Sequence, residues 1–196
     1  MGKIILKHKW LIMVVVAAVG FFLDWYTKHL AESKLTMGVP VSVIGEYFQF
    51  LLVYNRGALF GFNPANWISW FPTTSFFLGF SVIAVIFLLF YYRSLAKHEI
   101  ILHWGLVMIL PGALGNMFDR IIHPQKGVID FLKVGISQDV YWPIFNLADV
   151  YLTIGIGLIL LSYFKERSET VPNHREVSAT SNSAEEKKVE TKESSN

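Results

Sequence analysis

Asp130 and Asp149 lie at the two ends of a short hydrophilic segment that separates two long apolar stretches. A carboxylate in the hydrocarbon layer costs roughly 2.5–3.5 kcal/mol at a helix centre and less toward the interface, so two of them among other polar groups demand a reason. Two carboxylates meeting at about 3 Å cannot both ionise easily; one pKa rises and the pair shares a proton. The ionised partner then takes a proton from water as it attacks a peptide carbonyl, and the protonated partner donates to the developing oxyanion. A later step returns a proton to the leaving amine. These residue types therefore point to peptide-bond hydrolysis at a membrane surface. A helix macrodipole would account for Asp149 at a helix amino terminus, but not for Asp130. Asp139, a third carboxylate nearby, sits in a polar stretch and reads as solvated.

Other polar clusters surround this pair. Asp24 and Lys28 stand four apart at the end of the first apolar stretch, on one helix face. They form either an interfacial ion pair with Lys28 snorkelling to water or a polar anchor at the edge of a site. Asn55-Arg56-Gly57-Ala58-Leu59-Phe60-Gly61 is either an ordinary Asn/Gly turn or a ligand contact, Asn55 hydrogen bonding and Gly57 allowing close backbone approach. Asn116, Asp119 and Arg120 share a helix face at i, i+3 and i+4. They read either as an interfacial cap or as a brace for the loop carrying Asp130, with Arg120 able to grip a carboxylate or backbone carbonyls in a fork. Asn146 lies three residues before Asp149 and shares its face.

The elements that position these residues are membrane spans. The chain has 196 residues, 53% of them hydrophobic and 16% charged, which suits one domain. Four stretches satisfy the requirement of about 20 predominantly apolar residues, at about 10–26, 71–92, 100–118 and 142–164. Trp10, Trp70, Trp104 and Trp142 lie near span ends, where amphipathic rings favour the interface. Gly105, Pro111, Gly112 and Gly115 in the third span predict a kink or close helix contact. The basic start followed by apolar residues could be mistaken for a cleaved signal peptide, but an uncleaved first span fits better. The fold class expected is a mainly α polytopic membrane protein, with four transmembrane helices and a small extracytoplasmic β element. That element is read in the loop 27–70, where Val41–Ile44 and Tyr47–Tyr54 are rich in β-branched and aromatic residues between turns.

Four spans place both termini on one side. Lys3, Lys7, Lys9, Arg93, Lys97, Lys165 and Arg167 fall on that side, against Lys28, Lys34, Arg56, Arg120, Lys126 and Lys133 on the other. This small excess favours cytoplasmic termini. Every polar cluster above then shares the opposite face. Residues 1–166 form the membrane domain, and 167–196, rich in Ser, Glu, Lys, Asn and Thr, cannot bury a core and read as a disordered cytoplasmic tail.

Several chemistries are disfavoured. With no cysteine there is no disulfide, thiolate metal ligand or thiol nucleophile. The six histidines include no pair at metal-binding helical spacing beside a carboxylate, and no nucleophile elbow or phosphate loop occurs. No serine is singled out for a Ser–Lys pair. A proton-coupled carrier would place carboxylates at mid-span in both halves and show an internal repeat. A phosphatase or lipid transferase would want more Arg, Lys and His at the site.

Together the motifs resemble the lipoprotein signal peptidase (signal peptidase II) family of bacterial inner membranes, over about Leu11 to Phe164. The resemblance rests on Asp24-x-x-Thr27-Lys28, Asn55-x-Gly57-Ala58-x-x-Gly61, Gly112-Ala113-Leu114-Gly115-Asn116-x-x-Asp119-Arg120, Val128-x-Asp130-Phe131 and Phe145-Asn146-x-Ala148-Asp149, in that order. It implies an aspartic endopeptidase with no metal or cofactor, cutting diacylglyceryl-modified prolipoproteins just before the lipidated cysteine. By match of motif, Asp130 and Asp149 are the catalytic pair. Asn116, Asp119, Arg120, Asn146 and Ala148 support them, and Asp24, Lys28, Asn55 and Gly57 line or brace the site. The resemblance also implies membrane lipid as surroundings, inhibition by globomycin-type cyclic peptides and no nucleic-acid partner. One chain carries a whole site, so a monomer is expected. Pro111 stands where the family often has glycine, Leu59 where a second alanine is usual, and the segment with Pro124 and Gln125 is slightly long. These departures bear on loop shape and substrate preference more than on the chemistry.

Overall fold

The computed structural model describes residues 8–57, 68, 70, 72–96, 99–137 and 140–170. Four helices carry the chain: α1 (Lys9–Lys34), α2 (Thr73–Ser94), α3 (Ile100–Ile122) and α4 (Leu147–Thr170). All four are long and apolar enough to cross a membrane. Three strands, β1 (Val41–Ile44), β2 (Phe48–Asn55) and β3 (Val128–Val134), form an antiparallel sheet in the order β1-β2-β3. Residues up to Ile159 make one compact unit holding this sheet and the site; from Leu160 a second unit continues the last helix.

The elements depart from the sequence expectation in three places. The fourth helix begins at Leu147 rather than at Trp142. The Trp142 N–H donates to the Val134 carbonyl at 2.7 Å and the Phe145 N–H to Leu132 at 3.1 Å, so this stretch is held to β3 as extended chain. α4 also runs to Thr170, past the expected boundary at 166. Finally, Asp130 lies not in a loop but within β3, a third strand supplied by the second long connection. Ala58, Leu59, Gly61, Asp139 and the expected tail from 171 onward lie outside the described residues.

α3 is the central helix. More than half of its apolar window is buried (56%), against 11–22% for the other three, whose large side chains face outward as lipid-facing residues do. Close approach to α3 comes from small residues, as is usual between membrane helices. A methyl group on Gly105 would lie 2.8 Å from the Ile159 side chain, and one on Gly112 would strike the Ala148 carbonyl, so α4 lies against these glycines. On the α1 side, a Cβ on Gly20 would lie 2.7 Å from that of Pro111. One apolar core joins Met13 and Ala17 of α1, Leu88 and Tyr92 of α2, and Leu106, Val107 and Leu110 of α3. A second joins Ala31 of α1 to Leu52, Ile129 and Phe131 of the sheet.

Asp130 faces away from the core between Ile129 and Phe131, and the sheet's register decides which residues of β2 share its side. Phe50 pairs with Leu132 but Val53 pairs with Asp130, so β2 carries one extra residue between these positions. Without that bulge Asp130 would oppose Leu52, whose side belongs to the apolar core. The extra residue instead turns Leu52 to the core beside Ile129 and Phe131 and brings Asn55 to the side of Asp130, because strand side chains alternate with period two. Asn55 then pairs with Val128, diagonal to Asp130 and on the same side. β3 is entered through Gly127 at φ +88, where a side chain would collide with the Asn55 backbone.

Candidate active site

The site assembles where the end of α1, the end of α3, the strands β2 and β3 and the start of α4 meet. Asp130, 2% exposed, accepts from Asn55 Nδ2 at 3.0 Å on one oxygen and from Asn146 Nδ2 at 2.7 Å on the other. Asp149 accepts from Asn116 Nδ2 at 2.9 Å and from the Asn146 N–H at 3.2 Å. Asn146 is thus shared between the two carboxylates. It caps α4, its Oδ1 accepting the Asp149 N–H at 3.0 Å, while its amide nitrogen reaches Asp130. A side-chain oxygen before the first turn, answered by an acidic side chain three residues on, is a capping box. Here it seats the carboxylate of Asp149 in the first turn of α4.

Burial pushes the Asp130 carboxyl up to about 7, with the Asp149 charge the second cause; the Asn55 amide pulls the other way. A carboxyl at this value holds a proton near neutral pH, as acid–base chemistry by a carboxylate pair requires.

Behind the carboxylates lies a buried charged cluster. Lys28 Nζ pairs with Asp24 at 2.7 Å and Asp119 at 2.9 Å, and donates to Asn116 Oδ1 at 3.0 Å. Lys28 is 1% exposed and turns inward rather than snorkelling. Asp24 accepts the Ala148 N–H at 2.8 Å, fixing the start of α4 to α1, and Asp119 accepts the Ile129 N–H at 3.1 Å, fixing β3 to α3. Among the described residues, Arg120 pairs with no carboxylate. It donates to the Asn116 carbonyl at 3.1 Å and to the Gly57 carbonyl at 2.9 Å, bridging α3 to the segment after β2. Gly57 in turn donates its N–H to Asn55 Oδ1 at 2.9 Å.

Both carboxylates open on a cavity of about 460 Å³ between α2, α3 and α4. Its polar end holds Asn55, Asn116, Arg120, Asp130 and Asp149; the rest is apolar, with Phe77 and Phe80 of α2, Ala113 of α3, Leu152 of α4 and Trp142 and Phe145 of the connection. A chamber of this kind has room for apolar chains beside polar groups.

Residues 16–165 match the model of the signal peptidase (SPase) II family. The chain belongs to the signal peptidase II family. The lipoprotein signal peptidase of Ectopseudomonas mendocina is 37% identical over 158 residues, covering 80% of this chain and 88% of that protein. That of Pseudomonas putida is 34% identical over 170 residues, covering 84% and 91%. A solved bacterial membrane enzyme is similar in fold, with a TM-score of 0.70 at 26% identity over 82% of this chain and 92% of that one. Membership in signal peptidase II makes this chain a membrane-spanning peptidase.

Of the residues singled out by sequence, the structure brings Asp24, Lys28, Asn55, Gly57, Asn116, Asp119, Arg120, Asn146, Ala148, Asp130 and Asp149 into one continuous set of contacts. Sequence reasoning missed the apolar lining from α2 and the connection, including Phe77, Phe80, Trp142 and Phe145. Only their aromatic character near span ends could have signalled them. It also missed a polar contact at the other end of the helices, where the Tyr92 hydroxyl meets His103 Nδ1 at 2.9 Å and the Lys9 carbonyl at 2.8 Å. Neither the signal peptidase II motifs nor the spacing of the histidines marks that cluster.

Proposed function

We propose that this signal peptidase II is an aspartic endopeptidase that removes the signal peptide from diacylglyceryl-modified prolipoproteins, cutting just before the lipidated cysteine. The observation that carries this reading is the two carboxylates joined through Asn146 at the polar end of an apolar cavity. Names and coverage of the relatives support the prolipoprotein substrate.

In this mechanism Asp149 is the base and Asp130 the acid. Water attacks the scissile carbonyl carbon as Asp149 takes its proton, and the Asp130 proton passes to the carbonyl oxygen, giving a gem-diol. Asp149 then protonates the amine nitrogen as the C–N bond breaks, and a diol proton returns to Asp130, restoring the singly protonated pair. The neighbouring asparagines donate and cannot supply the proton that moves, so the two aspartates do all of the transfer. The reaction needs no metal.

The enzyme works in the bacterial inner membrane as a monomer, termini in the cytoplasm and carboxylates at the outer face. Lipid surrounds it, and globomycin-type cyclic peptides compete for the cavity. The test is gel-shift cleavage of a diacylglyceryl-modified prolipoprotein in vesicles by the intact protein, Asp130→Asn and Asp149→Asn, each checked for folding. Loss in both variants supports the pair; near-normal turnover in either removes it.

A further inference from the structure

Around the two carboxylates stand three asparagine amides whose orientation is fixed by what meets their oxygens. Asn55 Oδ1 faces the Gly57 N–H, Asn146 Oδ1 faces the Asp149 N–H, and Asn116 Oδ1 faces the Lys28 ammonium. Each of these groups is a donor only. Each amide must therefore turn its NH₂ inward: Asn55 and Asn146 toward Asp130, Asn116 toward Asp149. Two of the three locks are backbone groups that no side-chain substitution removes. The third is Lys28.

We infer that Lys28 is a positioning residue for the reaction, acting through Asn116, whose amide it locks so that an NH₂ is always presented to Asp149. The inference rests on the aspartic mechanism above and adds a residue whose effect on catalysis is indirect. The ammonium has no hydrogen left for substrate: its three donors are taken by Asp24, Asp119 and Asn116. Without it the Asn116 oxygen is held by Asn146 Nδ2 alone, at 3.1 Å, and that amide also serves Asp130 and the Ile129 carbonyl, so the Asn116 oxygen turns to Asp149 far more readily. A carboxylate facing a carbonyl oxygen keeps its proton to relieve the repulsion, and a protonated Asp149 cannot act as base.

The direct charge of Lys28 acts in the same sense, so the two routes must be separated. The charged groups that act on Asp149 are Lys28 from α1, Arg120 from α3 and Asp130 from β3; α4 adds no other charged residue within its first two turns. Lys28 lies against two carboxylates of its own, Asp24 and Asp119, which offset its charge. The amide lock is therefore its main effect.

The experiment is the pH profile of kcat/KM for cleavage of a diacylglyceryl-modified lipobox peptide in vesicles, for the full chain, Lys28→Met, Asn116→Leu and the double variant. Lys28→Met and Asn116→Leu should each move the acid limb up by about one pH unit with KM little changed, a tenfold loss at pH below the limb. The double variant should move it no further than either single one. Lys28→Met leaves Asp24 and Asp119 without their cation; if it does not fold, Lys28→Met is made together with Asp119→Asn, which keeps the net charge, and the same comparison with Asn116→Leu decides. A uniform loss of kcat with the limb in place overturns the inference, as does a double variant that shifts by the sum of the two. Failure of the aspartic reading has a different signature: activity retained in Asp130→Asn or Asp149→Asn.

Discussion

Asn146 and Asp149 exchange hydrogen bonds across the first turn of α4: the Asp149 N–H donates to Asn146 Oδ1 at 3.0 Å and the Asn146 N–H to Asp149 Oδ2 at 3.2 Å. The same asparagine donates to Asp130 at 2.7 Å. A helix cap and the link between two carboxylates are therefore one side chain. The two roles are separable by substitution. Asn146→Ser keeps a capping oxygen and loses the amide; Asn146→Ala loses both. Asn146→Ala should cost about 1 kcal/mol of stability for the cap, seen as a lower Tm in detergent, whereas Asn146→Ser should keep most of it. Both should lower kcat by roughly ten- to a hundredfold, the worth of about 1.5–3 kcal/mol for a hydrogen bond to a charged group. A Ser variant with full activity would sever the cap from the chemistry.

The raised Asp130 carboxyl has a pH signature. Its ordinary value of 3.8 is pushed up to about 7, by burial first. Between these values the folded protein holds a proton that the unfolded chain has lost. Stability from this group is complete at the acid end of the window and is lost as pH rises through about 7. Tm should fall by a few degrees from pH 5 to pH 8, and Asp130→Asn should remove most of that fall. On the activity side, kcat/KM of the intact protein should drop about tenfold per unit above pH 7, as the acid loses its proton. Thermal unfolding and a rate profile on the same preparation check both; a Tm slope unchanged in Asp130→Asn would place the titration elsewhere.

Much of the fold was legible because a membrane imposes length and polarity on its spans. The stretches from 10, 71 and 100 start within two residues of α1, α2 and α3. Val41–Ile44 is β1 as read, and the β2 run is one residue off at each end. The third strand was not legible. Asp130 and Lys133 interrupt an otherwise apolar run there, and the β2 bulge that brings Asn55 to the side of Asp130 is set by pairing rather than by any local pattern. Among site residues, the Asp24–Lys28 pair was readable from spacing, but its direction was not. Lys28 turns inward because Asp119 and Asn116, some ninety residues later, complete its partners. Long-range partners of that kind leave no periodic trace. The motif order supplied the list of residues, and only the tertiary contacts show that Asp24, Asp119 and Arg120 each tie one element to another.

Two glycines on different helices should respond oppositely to alanine. A methyl on Gly115 would run into the Asp24 carboxylate and come within 3.3 Å of the Ala148 Cβ, where Asp24 already holds the Ala148 N–H. Gly115→Ala should cost about 1–3 kcal/mol as an overpacked site, and should lower activity by displacing the start of α4. Among the described residues, nothing lies within 4 Å of a methyl on Gly79. Gly79→Ala should be neutral or more stable, by up to about 1 kcal/mol from helix propensity. Thermal unfolding of the two variants side by side is the check. Equal effects would mean that the Asp24 contact does not limit the packing of α1 against α3.

Arg120 differs from a lysine in the number, reach and planar arrangement of its donors, and those are what the structure uses. Its two terminal nitrogens hold two carbonyls, Asn116 in its own helix and Gly57 after β2, while its guanidinium carbon lies 5.7 Å from the Phe77 ring centre. A lysine ammonium cannot reach both carbonyls or stack in this way. Arg120→Lys therefore frees Gly57, whose N–H sets Asn55, at the polar end of the cavity. The charge is preserved, so the field at Asp149 and Asp130 changes little and kcat should stay within a few fold. Losing the tie to Gly57 should instead loosen the polar end of the cavity and appear as a raised KM for the lipopeptide. Steady-state kinetics separate the two quantities. A loss confined to kcat with KM intact would put Arg120 in the chemistry and take it out of the cavity wall.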